Sequence, residues 1–184
     1  MDYVGTVIYS LVIGFAISTI ITTLLQWLAP KRMRKSIERF VSTGIKIIRI
    51  VGIVCGVLTF STLVIQLTGR GLPERAFGEY AFHYWLMLLG CPLLTQLLWF
   101  DRIGRSGIFR ILIGLGLLFS SGRFMEELII TMSSFERDHQ TNNGLVLGFL
   151  SSNLVRFLSF AALVWLLQSV NTRRDLLNKN KTQI

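Results

Sequence analysis

Hydrophobic positions along this chain gather into five long apolar runs, at about 4–29, 45–67, 80–100, 108–133 and 144–170. Polar residues are largely confined to the connections. A helix rises 1.5 Å per residue, so about 20 residues cross a hydrocarbon core, and every run is long enough. The pattern predicts an all-α integral membrane protein, a bundle of five transmembrane helices. Residues 1–172 form one helical domain, and 173–184 form a polar tail.

Charge in the connections gives the orientation. Lys31, Arg32, Arg34, Lys35, Arg39, Lys46 and Arg49 surround the first gap. Arg102, Arg105 and Arg110 fill the third, and Arg173, Arg174, Lys179 and Lys181 follow the last run. The second gap sets Arg70 and Arg75 against Glu74 and Glu79, and the fourth sets Arg137 against Glu136 and Asp138. Basic excess in every second gap follows the positive-inside rule. The N-terminus is therefore expected outside and the C-terminus in the cytoplasm. Reading run three as a re-entrant loop would invert runs four and five and send the basic tail outside, against this pattern.

Residues 31–43 place Met33, Ile37, Phe40 and Val41 at helical spacing between charges. They read as a short basic amphipathic segment on the membrane surface, or as an extension of the second span. The N-terminus lacks a basic stretch and the first run is too long for a signal-peptide core, so no cleaved leader is expected. The expected setting is a bacterial cytoplasmic membrane. Pro92 is expected to kink run three, whose Tyr80, His83, Tyr84, Trp85 and Trp99 suit the two interfaces.

Composition adds little that is specific. The chain of 184 residues is 52% apolar and 16% charged, with a mean hydropathy of +0.57. The net charge of +9 sits at membrane edges, where topology accounts for it without nucleic acid. A basic face also attracts anionic lipid headgroups, at about 1 kcal/mol per well-placed Lys or Arg. Cys55 and Cys91 form no metal-binding spacing and read as small hydrophobic residues, although a thiol pair is geometrically possible. His83 and His139 both lie near the outer surface, so haem ligation is not expected. No catalytic motif with a mechanism is present, and no metal or cofactor is expected. Asn180 opens a glycosylation sequon, on a side where it has no meaning.

Ionisable residues at lipid depth are costly and usually face the bundle interior. Arg123, Glu126 and Glu127 in run four and Arg156 in run five are such residues, with Asn153 beside Arg156. Glu127 lies one helical turn from Arg123, and Arg156 should reach similar depth on an antiparallel neighbour. Gly116, Ser120, Arg123 and Glu127 make one stripe, and Gly148, Ser152, Arg156 and Ser159 another. The two stripes are expected to face each other or a shared interior, with Glu126 offset. Gly52 and Gly56 form a GxxxG in run two that permits close helix packing.

These features predict a non-catalytic multi-pass subunit of a larger membrane complex, acting through helix contacts with other subunits or with itself. The alternative is a transporter or channel for an ion, proton or small anion, lined by Arg123, Glu127 and Arg156. A membrane enzyme using the two thiols is a third reading.

Overall fold

The computed structural model describes residues 3–68, 76–79, 81–137 and 143–181, and among them every regular element is helical. Helix α1 spans Tyr3–Leu28 and α2 spans Lys31–Thr68. Helix α3 spans Ala81–Leu97, α4 Asp101–Arg105 and α5 Gly107–Ser120. Helix α6 spans Gly122–Arg137 and α7 Asn143–Lys181. Three helices are long and apolar enough to cross a membrane: α1, α2 and α7. A fourth span is added if the bent pair α5 and α6 counts as one. Helix α3, at 17 residues, falls below the usual spanning length of about 20.

The structure departs from the expected linear layout at three places. Run four is not straight: its two halves meet at 78°. The break falls on Ser121, whose backbone is extended (φ −84°, ψ 95°) and whose N–H turns back to the Leu118 carbonyl at 3.2 Å. The Phe124 N–H donates to Ser121 Oγ at 3.4 Å, so the same residue starts the next helix. Ser120-Ser121-Gly122 is a cluster of poor helix formers, the usual place for a sharp bend. Second, residues 31–43 are no separate surface helix. They are the first turns of α2, which runs unbroken for 38 residues, as in the extension reading. Third, α7 continues as helix through Lys181 into the expected polar tail.

Helix α1 lies at the centre. Within its apolar span 39% of the residues are buried, against 6% for α2 and 11% for α7, whose apolar faces stay open to the hydrocarbon. Phe15 of α1 meets Phe160 of α7 edge to face at 5.7 Å. Gly14 lets α1 approach until a Cβ there would collide with the Arg156 carbonyl. Val12, Phe15, Ala16, Ile48, Leu98, Ile113, Leu117, Phe160 and Val164 form the packed core. Helices α2 and α3 pair through Gly52, which is pressed against Thr95, and through Cys55 and Cys91, whose Sγ atoms lie 3.2 Å apart. Helix α3 packs on α5 where Leu94 covers Gly116 and Ser120 meets Gly90.

One end of the bundle collects the basic groups. Gln26 and Arg110 meet there, Arg49 reaches Asp101, and Gln168 of α7 donates to Thr43 of α2 at 3.4 Å. The first and third basic clusters of the sequence, and Arg173 at the start of the last, therefore share one end. Arg70, Glu74, Arg75, Asp138 and His139 of the opposite gaps lie outside the described residues.

Candidate functional site

The site is built at the break in run four. The bend at Ser121 swings α6 across the bundle so that its first turns meet α7 and the N-terminal third of α1. Arg156 of α7 sends both guanidinium arms to one carboxylate, with Nη1 to Glu127 Oε2 at 3.0 Å and Nη2 to Glu127 Oε1 at 2.9 Å. This parallel fork is the strongest geometry available to an arginine. Nη1 also donates to Asn153 Oδ1 at 3.2 Å, while Asn153 Nδ2 donates to the Phe149 carbonyl at 2.9 Å. Arg123 Nε lies 3.6 Å from Glu127 Oε1. The Tyr9 ring of α1 lies beneath both arginines, 5.1 Å from the Arg156 guanidinium carbon and 5.9 Å from that of Arg123. Such stacking is worth most where water is scarce. The Arg156 side chain is only 13% exposed, whereas Arg123 is 48% exposed, so Arg156 is the anchored member.

Four of the five expected polar residues thus come together: Arg123, Glu127, Asn153 and Arg156. Glu126 lies on an exposed face of α6, away from the fork. The helix-packing residues divide. Gly52, Gly116 and Ser120 are pressed against Thr95, Leu94 and Gly90 respectively. A Cβ on Gly56 would touch only Pro92, at 3.7 Å. Gly148 has open space above it, and Ser152 is half-buried, donating to the Phe149 carbonyl at 3.0 Å. The expected facing of the two stripes, on each other or on a shared interior, is therefore divided between the two halves of run four. Gly116 and Ser120 face α3, and only Arg123 and Glu127 face α7, because the bend rotates the two halves of run four onto different neighbours.

Two polar features are absent from the expected set. Tyr9 is the aromatic floor of the cluster; its only signal in the sequence is a phenol within an apolar run. Arg110, expected in a basic connection, is instead 6% exposed and donates from Nη2 to Gln26 Oε1 at 2.8 Å. Gln26 is the most polar residue inside run one, and Arg110 falls just inside run four; that pair was the available clue.

Ile13, Phe15, Ala16, Ile113 and Leu117 are buried between the Arg110 end and the Glu127 end, together with the hydroxyl residues Ser18, Thr19, Thr23 and Ser120. Among the described residues no three His, Cys, Asp or Glu side chains are placed to hold a metal ion.

Comparison with protein-family models, with curated proteins and with solved structures gives no match. The functional reading therefore rests on geometry.

Proposed function

We propose that this protein is a non-catalytic membrane subunit that holds another transmembrane helix against α6 and α7. The observation that carries the reading is a groove of about 320 Å³ between these helices, lined by Gly144, Gly148 and Ser152 along one stripe of α7. Neither glycine has an atom within 4 Å of its would-be Cβ. Small residues at every fourth position let a second helix approach closely in a bilayer. Glu127, half-buried and already forked by Arg156, lines the groove as a fixed polar group. The basic end is assigned to the cytoplasmic side, with runs one to five each crossing and the N-terminus outside.

The test is extraction of the full-length protein into nanodiscs from its native membrane, with mass determination and identification of co-purifying chains. The expected result is a stoichiometric partner or second copy that Gly148→Leu removes while the Gly148→Leu protein stays monodisperse. A lone monomer, unchanged by that substitution, overturns the reading.

A second reading, transport of an ion or small anion, draws on one observation. A span broken beside charged residues is a recurrent feature of transporter binding sites. The close packing of buried side chains between the two polar centres weighs against an open path. In reconstituted vesicles this reading requires Glu127→Gln to remove flux from a protein that remains folded.

A further inference from the structure

The basic end of the bundle contains a cavity of about 660 Å³, bounded by the end of α1, the early turns of α2, the short α4 and the start of α5. It is separate from the Glu127 groove. Its walls carry four cations, Lys46, Arg49, Arg105 and Arg110, against two carboxylates, Glu38 and Asp101. The formal excess is two positive charges, from four minus two.

Surface charge alone would not make a site here; Arg110 does. Its side chain is buried, and Nη2 is fixed by Gln26, yet its Nε is buried with no hydrogen-bond partner. A buried guanidinium with an unmet donor is expensive, and an anion in the cavity that Arg110 lines compensates its charge. Arg49 is set in place beside it. Its Nε donates to the Leu98 carbonyl at 3.0 Å, and its guanidinium lies 5.1 Å from the centre of the Trp99 ring. The two carboxylates are weak competitors: Asp101 is 75% exposed and meets Arg49 and Arg105 only at 3.7 and 3.8 Å, and Glu38, whose charge acts on Arg110, is exposed.

We infer that this cavity binds a phosphate group, with Arg110 at its floor and Lys46, Arg49 and Arg105 around its mouth. Arginine forks and a lysine point charge are the usual protein ligands for phosphate. The phosphate belongs either to an anionic lipid headgroup or to a soluble phosphate compound; the chemistry of the site is the same.

The test uses full-length protein, delipidated in detergent and reconstituted in phosphatidylcholine nanodiscs with or without phosphatidic acid. Native mass spectrometry reads retained lipid, and thermal unfolding with increasing inorganic phosphate reads the soluble source. The expected result is a stoichiometric phosphatidic acid adduct, or saturable stabilisation by inorganic phosphate. Lys46→Gln with Arg105→Gln should weaken it about tenfold, the effect of losing charge-assisted contacts. Both side chains are exposed, so this variant should fold. Lys31→Gln with Arg32→Gln removes the same charge outside the cavity and should change little. An adduct that inorganic phosphate fails to displace assigns the lipid source, and displacement assigns the soluble one. Equal weakening by the two double variants, or no adduct and no saturation, overturns the inference.

Discussion

At the scale of residues, the Arg156–Glu127 fork is the feature with the largest consequence for a single substitution. Glu127→Gln leaves the nearly buried Arg156 without its counter-charge. Breaking a fully buried pair costs about 3–5 kcal/mol; with Glu127 29% exposed, a loss nearer 2 kcal/mol is expected. The double variant Glu127→Gln/Arg156→Gln should recover part of it, because no orphaned charge remains. Thermal unfolding of the three variants in detergent checks this, and additive losses would refute the pairing. A second residue-level prediction concerns Gly14. Its added Cβ would meet the Arg156 carbonyl and would lie 2.8 Å from Phe160 Cβ, backbone-proximal atoms that cannot swing aside. Gly14→Ala should cost about 1–3 kcal/mol, while Gly5→Ala, which meets nothing within 4 Å, should be neutral. The arginine and glutamate positions were legible in the sequence because a charge within an apolar run must find a partner. Tyr9 and Gly14 were not, since neither shows which helix will lie beside it.

At the scale of elements, run four shows how far periodicity reaches. Its apolar content identified a membrane segment, but Ser120-Ser121-Gly122 carries no proline and passed as ordinary sequence. The bend needs both weak local propensity and neighbours that reward turning: Leu94 and Gly90 for α5, Arg156 and Tyr9 for α6. The pairing of α2 with α3 is testable through its thiols. With Cys55 and Cys91 Sγ atoms 3.2 Å apart, a membrane-permeant thiol oxidant should form an intramolecular disulfide in high yield. Each thiol gives up one proton and one electron, and the oxidant takes both electrons as the S–S bond forms. Intact-mass measurement with alkylation reads the product. Two alkylated thiols after oxidation would mean that the helices do not meet in this register. The sequence placed each cysteine in its run; only the packing of Gly52 on Thr95 fixes their mutual height.

At the scale of the whole molecule, the shared basic end predicts a labelling pattern. In sealed vesicles of known orientation, a cysteine replacing Arg105 and one replacing Arg173 should react with impermeant maleimide from the same side. A cysteine replacing Glu79 should react from the other, in a Cys55→Ala/Cys91→Ala background. Reaction of Arg173→Cys from the Glu79 side would mean that the bent pair α5–α6 enters and leaves by one face and crosses nothing. The long apolar runs and the sorted charges determined from sequence alone that this is a helical membrane protein with a basic end. Those properties follow from transfer of side chains between water and lipid, which each residue carries independently of its neighbours. The tertiary structure decided that α1 is the central helix and that run four is broken. It also decided that Arg110 lies buried beneath a basic cavity and that Gly148 faces open space. These depend on which surfaces meet, and in a bilayer helix association turns on close packing and hydrogen bonds rather than on hydrophobicity, so the apolar pattern does not encode it.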